Sequence, residues 1–196
     1  VAGQMAGDLA PSSRARRVQI MSATDLLADA ALASAWDELA TNASEPNPFA
    51  ERWYQTAALE AVGQTPDIRI AMVWDGALIG MLPLQHQSRY AGLPVGHVQN
   101  WLNHNAFLGT PLVRKGAEQR FWQVLLGHLD EASDGALFLH LSGIATDGRV
   151  VTALDETCRT EGRRHALVHR EERALLERGL SPAEYLEATV RGKKRK

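Results

Sequence analysis

The sequence has little cysteine, no excess of either charge and no long apolar run. Cys158 is the single cysteine among 196 residues, so no disulfide can form within the chain, as is typical of a reducing compartment. The net charge of −2 excludes the broad positive surface that non-specific DNA binding requires. Charged or amide residues interrupt every apolar run well short of the roughly 20 residues of a membrane helix. We therefore expect a cytoplasmic protein without a membrane span.

Phosphate-binding and metal-binding motifs are lacking as well. Neither a P-loop nor a dinucleotide fingerprint occurs, and Glu118, His128 and His165 do not have the spacing of metal ligands. Hydrophobic residues make up 45% and charged residues 22% of the chain, which predicts a full core. The first residues contain no apolar block of a signal peptide, so we expect residues 1–15 to form a flexible leader.

The periodicity of the first half predicts a strand, two helices and an antiparallel meander. RRVQIMSAT alternates as a strand does, and a helix follows with one apolar face. The prolines of SEPNPF end that helix, and a second is expected over roughly 48–62. Asp75-Gly76 then predicts a tight hairpin, followed by a further strand at HVQNWLN. The predicted apolar positions are Leu27, Ala31, Ala35 and Leu39, then Phe49, Trp53, Ala57 and Ala61, then Ile68, Ile70, Met72 and Trp74.

The second half alternates helices with strands. KGAEQRFWQVLLGHLDEASDG predicts an amphipathic helix on Phe121, Leu125 and Leu129, and ALFLHLSGI predicts a buried strand. DGRVVTALDETCRTEG predicts a helix with Val150, Leu154 and Cys158 on one face. RRHALVHREE begins as a strand, and Ser181-Pro182 with Glu184 is the capping-box signal of a last helix.

The stretch NWLNHNAFLGTPLV is the strongest candidate for a substrate site. Its amide and imidazole groups, with Trp101 beside them, would hold a polar substrate: Asn103, His104 and Asn105. His104 is also the candidate general base, because imidazole titrates near neutral pH. The alternative is that the amides satisfy backbone groups at a strand exit, while Trp101 and Phe107 belong to the core.

Further candidates each have a structural alternative. Trp53 and Tyr54 would line a groove, although core packing is the simpler interpretation of Trp53. Arg89 and Tyr90, with the neighbouring His86, would bind an anionic acceptor, or they form a solvated loop. We interpret His140 and Cys158 as buried core residues, and no nucleophile is expected at Cys158.

The order of elements and several motifs resemble the GNAT acetyltransferase superfamily. PNPFAERWYQTAAL, WDGALIGMLPL, RYAGLP, NWLNHNAFLGTPLV and GALFLHL look like the N-terminal half of bacterial tandem-GNAT proteins of the CelD (cellulose biosynthesis) type, which are distantly similar to Fem aminoacyl transferases. The resemblance covers about residues 16–196. It implies a mixed, mostly antiparallel sheet flanked by helices, and an N-acyltransferase that uses acetyl-CoA or another acyl-CoA.

The resemblance also implies where the donor would bind. GNAT proteins hold the CoA pyrophosphate with an Arg/Gln-x-x-Gly-x-Gly/Ala loop after the fourth strand, at a helix N-terminus. RYAGLPVG offers Arg89 and Gly92 at that spacing, but Pro94 takes the next position and lacks an N–H donor. FLGTPLVRKGAEQ precedes a helix but lacks the arginine spacing. We interpret both as connecting loops, which leaves much of the acyl-CoA site to a second domain.

The basic end RGKKRK resembles the start of the helix that leads into that second domain. We expect a GNAT-like domain over 16–178 and the start of this basic helix over 179–196. Three functions stay open: an N-acyltransferase with a small-molecule, saccharide or peptide amine as acceptor, a non-catalytic domain that binds a saccharide or peptidoglycan-like acceptor, and an assembly module. In the last, the basic residues would contact an anionic partner, unless they are a solvated terminus: Lys193, Lys194, Arg195 and Lys196.

Overall fold

The computed structural model describes residues 16–61, 68–132, 134–173 and 181–189. The chain divides into two units, residues 1–164 and 165–196. The described strands are β1 (Arg17–Ser22), β2 (Ile68–Asp75), β3 (Ala77–Gln87), β4 (His97–Asn100), β5 (Leu112–Val113) and β6 (Leu139–His140). The described helices are α1 (Ala23–Ala28), α2 (Ala30–Thr41), α3 (Arg52–Ala61), α4 (Glu118–Glu131), α5 (Arg149–Thr160) and α6 (Pro182–Thr189), with a 3-10 turn at Pro48–Ala50.

The first unit is built on a mixed, mostly antiparallel sheet, as the sequence predicts. Its strand order is β1-β2-β3-β4-β6. The short strand β5 pairs with Gly80 and Met81 in the first half of β3, whereas β4 pairs with the second half. Neighbours from β1 to β4 are antiparallel, and β6 runs parallel to β4. The hairpin predicted at Asp75-Gly76 is confirmed: Asp75 pairs with Ala77, and Gly76 at φ +75° adopts the left-handed conformation that favours glycine. The sheet has the class of architecture that we expected.

Helices cover both faces of the sheet. Ile68, Ile70 and Met72 pack with α1, α2 and α3, while the intervening Ala71 and Val73 pack with α4 and α5. Because successive strand residues point to opposite faces, β2 is buried on both sides. The predicted apolar face of α4 is confirmed: Phe121 and Leu125 are fully buried, and Leu129 is partly buried against the same core. The face predicted for α5 is confirmed at Val150 and Cys158, which are also buried.

The helix predicted after β1 is two helices. The helix is interrupted at Asp29. The Asp29 carboxylate accepts hydrogen bonds from the N–H groups of Ala31 and Leu32 and so caps the N-terminus of α2. This break shifts the helical phase, so the predicted face was wrong at Leu27 and Ala31, which are exposed. The buried positions are Leu26, Leu32, Trp36 and Leu39.

The second predicted helix begins later than expected, and its buried face differs. A 3-10 turn occupies Pro48–Ala50, and α3 buries Gln55, Ala58 and Leu59. Trp53 is 64% exposed, so the prediction of core packing for Trp53 was wrong. The spacing of four fitted a face, but the turn before Arg52 rotates the helix so that this face meets solvent.

Two predictions for the last third were wrong and one is confirmed. The buried strand at ALFLHLSGI is the two-residue β6 at the sheet edge, and the preceding Leu137 is 76% exposed. RRHALVHREE forms no strand within 163–173. In the second unit, the capping box is present: Ser181 N–H donates to Glu184 Oε2 at 2.8 Å, and Glu184 N–H donates to Ser181 Oγ at 3.3 Å. The leader and RGKKRK lie outside the described residues.

Candidate functional site

Apart from Trp53 on α3, the predicted site residues fall into two groups, one at each end of β4. Arg89 and Tyr90 precede the strand, and the segment that begins at Trp101 follows it. A four-residue strand is about 13 Å long, which separates the two groups. Tyr90 contacts His97 at the start of β4, with ring centroids 5.2 Å apart. The structure therefore does not gather all of the predicted residues into one pocket.

Asn100 closes the sheet at the end of β4. It is 2% exposed, and its Nδ2 donates to the carbonyls of Gly109 at 3.1 Å and Ser142 at 2.9 Å. Its Oδ1 accepts from the N–H of Ser142 at 2.9 Å and from the Ser142 hydroxyl at 3.3 Å. Gly109 N–H also donates to the Gly143 carbonyl at 2.7 Å. The side chain thus joins β4 to the chain that follows β6.

The polar loop after Asn100 is a tight turn. Asn103 Oδ1 accepts from the N–H of Asn105 at 2.9 Å, the local bond typical of an Asx turn. His104 and Asn105 are exposed, and Trp101 is half-buried against the core between the sheet and helices α1 to α3. Phe107 is 63% exposed, so the alternative that placed it in the core was wrong. A role for His104 as a base stays a prediction.

Four rings join this loop to the start of α3. Phe49 lies edge-on to Tyr54 at 5.1 Å and to Phe107 at 5.7 Å, and Trp53 lies edge-on to Tyr54 at 5.8 Å. We name this group the aromatic surface: Phe49, Trp53, Tyr54 and Phe107. Trp53 and Phe107 are exposed, and Phe49 and Tyr54 are partly buried between them. Contiguous exposed apolar surface marks binding sites more often than isolated exposed residues do. Two predicted site segments, Trp53 and the loop after β4, therefore meet in space.

A groove of about 330 Å³ adjoins the aromatic surface at Trp53. Arg52 donates to both carboxylate oxygens of Asp37, at 2.8 and 2.7 Å. These hydrogen bonds and the charge of Arg52 hold the pKa of Asp37 below its ordinary value. Trp53 Nε1 donates to Glu51 Oε2 at 2.9 Å, a hydrogen bond between two side chains at the start of α3. The residues that line the groove are Asp37, Ala40, Thr41, Glu51, Arg52 and Trp53.

The group before β4 is a cluster of four rings: Tyr90, His97, Phe138 and His140. His97 is 2% exposed and stacks on Phe138 at 5.0 Å, and Tyr90 is edge-on to Phe138 at 5.0 Å. Arg89 donates to the carbonyl of Gly92 at 2.6 Å, within its own loop. His140 is only partly buried, so the prediction of a core histidine was wrong in degree. Binding of an anionic acceptor by Arg89 and Tyr90 stays a prediction.

Acidification is expected to destabilise the fold through His140. Burial and the nearby His97 lower the pKa of His140 below its ordinary 6.5, so the unfolded chain takes up a proton first as the pH falls. The stability that neutral His140 contributes is present above pH 6.5 and is lost as the pH falls through the lower folded-state pKa. Melting curves between pH 7.5 and about 5 should therefore shift less for His140→Gln than for the natural chain. Parallel shifts would contradict this.

The loop around Gly116, which we interpret from the sequence as a connecting loop, precedes α4, and a carboxylate of the chain lies at the start of that helix. Glu118 Oε1 accepts from the N–H of Gly116 at 3.1 Å and from the Ser44 hydroxyl. Burial raises the pKa of Glu118, but the hydrogen bond from Ser44, the backbone N–H groups and the charge of Arg149 outweigh it, so the pKa lies below its ordinary value. The group is therefore an anion at neutral pH.

The N-terminus of α5 is filled in the same way. Glu45 Oε1 accepts from the N–H of Val150 at 2.6 Å, across 105 residues of sequence. A Cβ added at Gly148 would collide with Glu45 Oε2, so the carboxylate lies against the start of the helix. Because helix N-termini attract anions, both of these positions are already neutralised from within.

The structure bears on two further sequence predictions, those for Cys158 and for metal ligands. Cys158 is buried, and burial raises the pKa of its thiol, which disfavours the reactive thiolate. Among the described residues, no group of three or more histidine, cysteine or acidic side chains is placed to hold a metal ion. In the same ranges, no helix is both long and apolar enough to cross a membrane.

Comparison with known proteins finds similarity among solved structures alone. No protein-family model and no curated protein matches the chain. An aminoglycoside acetyltransferase from an uncultured soil metagenomic sample has a TM-score of 0.49 at 14% identity over 82% of this chain and 99% of its own. The aminoglycoside N-acetyltransferase AAC(6')-Iy in complex with CoA has a TM-score of 0.47 at 15% identity, over 87% of this chain and 99% of its own. A ribosomal-protein-alanine N-acetyltransferase from Brucella melitensis has a TM-score of 0.44 at 13% identity, over 83% of this chain and 100% of its own.

Proposed function

We propose that this chain is the acceptor-side, GNAT-type domain of an acyl-CoA-dependent N-acyltransferase. The sheet order and the motifs quoted above support the GNAT assignment. The acceptor is an amine, and the aromatic surface with its groove is the binding place that we assign to it. The acyl-CoA donor binds to a second domain of the CelD-type arrangement, which the resemblance predicts.

One observation supports placing the donor on a second domain and the acceptor on this chain: the Glu118 carboxylate lies at the N-terminus of α4. A CoA pyrophosphate placed there would lose the N–H of Gly116 to Glu118 and would meet its negative charge. Like charges a few ångströms apart repel strongly where they are partly buried. Glu45 disfavours the start of α5 in the same manner. Neither α4 nor α5 is therefore arranged to hold the donor.

The reaction would be a direct transfer. The nitrogen lone pair of the acceptor attacks the thioester carbon, the carbon–sulfur bond breaks, CoA leaves as the thiol or thiolate, and the amine loses a proton to a base or to water. The contribution of this chain is orientation of the acceptor, which converts a bimolecular encounter into a positioned one. Backbone N–H groups of the donor domain would stabilise the oxyanion. His104 is the residue of this chain that we propose to test as a base.

A second candidate is a non-catalytic domain that binds the acceptor and contributes nothing to the chemistry. The same carboxylate at α4 favours it. The two differ in what happens when the acceptor groove is altered in an active enzyme. Loss of turnover at saturating acceptor supports a part in catalysis, whereas a change confined to KM supports binding alone.

The test is calorimetric titration of the chain with acetyl-CoA. We expect no binding up to millimolar acetyl-CoA, because the helix N-termini are occupied by Glu45 and Glu118. The positive control is a chain extended beyond Lys196 through the predicted second domain, which should bind at micromolar concentration. Micromolar binding to residues 1–196 alone would overturn the proposal, since this chain would then hold the donor itself.

A further inference from the structure

A small cavity lies in the core between the sheet and helices α1 to α3, and Gln55 lines it together with apolar side chains, among them Leu59, Ile70 and Met81. We infer that this cavity is a binding site for one water molecule, held by the side-chain amide of Gln55. The inference does not depend on the proposed function, because such a water belongs to the folded chain itself.

Gln55 places a carboxamide where its neighbours are apolar. The residue lies on the buried face of α3 with Ala58 and Leu59, and it is 8% exposed. Its Oε1 is buried and accepts no hydrogen bond from any of the described residues. A buried amide oxygen without a partner retains the full cost of leaving solvent, so folded proteins satisfy nearly all such groups with protein atoms or ordered water. Gln55 therefore requires a donor from outside the described chain.

The identity of that donor follows from the chemistry of the amide. Rotation of the carboxamide by 180° would exchange Oε1 for Nε2, and an unpaired acceptor would become an unpaired donor. Water satisfies both arrangements, since it donates and accepts, whereas a cation satisfies only the first. Among the described residues that line the cavity there is no carboxylate to balance a cation. A neutral molecule is therefore favoured over an ion.

The size of the cavity selects water among neutral molecules. The room open to the centre of a water-sized sphere is about 10 Å³. One water needs roughly 10–15 Å³ by that measure, so a single molecule fits at the limit of the space. Sites for organic ligands begin at roughly 300 Å³, which excludes an acceptor or an acyl group here.

A buried water needs at least two polar partners, and the lining residues can provide a second one. The Ala50 carbonyl accepts a hydrogen bond from Trp36 Nε1 at 3.0 Å. The Pro83 carbonyl accepts one from the N–H of Trp101 at 2.8 Å. Because a carbonyl oxygen has two lone pairs, each of these groups can accept once more. A water that donates to Gln55 and to one of them links α3 to the 3-10 turn or to β3.

The experiment is a crystal structure of the chain combined with water-to-protein NMR. We expect an ordered water within about 3.2 Å of the Gln55 amide oxygen. In solution, the side-chain amide protons of Gln55 and the indole N–H of Trp36 should show Overhauser contacts to a water that tumbles with the protein. The side-chain amide of Gln123, a half-buried glutamine on α4, is the control and should show contacts to mobile solvent alone.

Gln55→Met retains the length of the side chain and removes the amide. We expect the water contact at the Trp36 indole to be lost in this variant. Three outcomes would overturn the inference: no ordered water beside a well-defined Gln55, a Gln55 amide bonded to a protein group instead, or a water that persists in Gln55→Met. The first two are measured on the natural chain, so the test does not depend on the folding of the variant.

Discussion

Replacing Asn100 with alanine is expected to lower the free energy of unfolding by about 3 kcal/mol. The change removes four hydrogen bonds that the buried amide makes with Gly109 and Ser142. It also leaves two carbonyl groups and the N–H of Ser142 without that partner in an enclosed place, and each unsatisfied group costs about 1–3 kcal/mol before water or relaxation compensates. Urea denaturation followed by circular dichroism measures the loss.

Asn103→Ala is the matched control for this prediction. Asn103 lies in the same segment, but its one amide bond, to the N–H of Asn105, is exposed. We expect a change of roughly 0.5 kcal/mol or less, as for other surface substitutions. If Asn100→Ala were no more destabilising than Asn103→Ala, the assignment of Asn100 as the clamp between β4 and the chain after β6 would be wrong.

Replacing Trp122 with alanine is expected to cost about 3–5 kcal/mol, the range for buried aromatic residues. Trp122 is fully buried, contacts Phe121 with ring centroids 4.9 Å apart, and donates from Nε1 to the carbonyl of Val150 at 2.8 Å. Its removal leaves a large cavity between α4 and α5 and deletes the hydrogen bond to the Val150 carbonyl. Thermal or urea unfolding should show the loss.

Trp53→Ala is the comparison that makes the result decisive. The same chemical change at a residue that is 64% exposed should alter the free energy of unfolding by less than about 0.5 kcal/mol. Comparable losses at both positions would mean that Trp53 is a core residue after all, and its assignment to the proposed acceptor site would be wrong. A large difference leaves Trp53 available for a ligand.

The parts of the fold that could be predicted are those in which the signal is local. Alternation in β2, the Asp75-Gly76 turn, the amphipathic pattern of α4 and the capping box of Ser181 and Glu184 each lie within a few residues. Short-range patterns of this kind report secondary structure directly, because the periods of strands and helices differ. These elements are confirmed in the structure.

The errors arise where one residue or a tertiary neighbour sets the phase. Asp29 acts as a cap, so a continuous helical pattern becomes two helices and Leu27 turns outward. The apolar run around Phe138 contains the residues of a buried strand, but its position at the sheet edge leaves Leu137 exposed. Edge or centre is a property of topology, which composition does not reveal.

In the candidate site, too, residues with a local sequence signal could be predicted, and residues whose role depends on distant partners could not. Trp53 and the loop after β4 were identifiable as candidates because aromatic and amide residues are conspicuous in sequence. The roles of Glu45 and Glu118 were missed, because their partners Val150 and Ser44 are 105 and 74 residues away. A glutamate at the first position of a helix is a signal for a cap, but the distant hydroxyl that orients it has no local signature.

The long sequence separation of the Glu45 and Glu118 contacts has a consequence for folding kinetics. Contacts that close loops of such length carry a large entropic cost before they form, so they belong to the late side of the folding barrier. Interactions absent from the transition state leave the folding rate nearly unchanged and slow unfolding instead. We therefore expect the two carboxylates to lengthen the lifetime of the native state by slowing unfolding, and to have little effect on the folding rate.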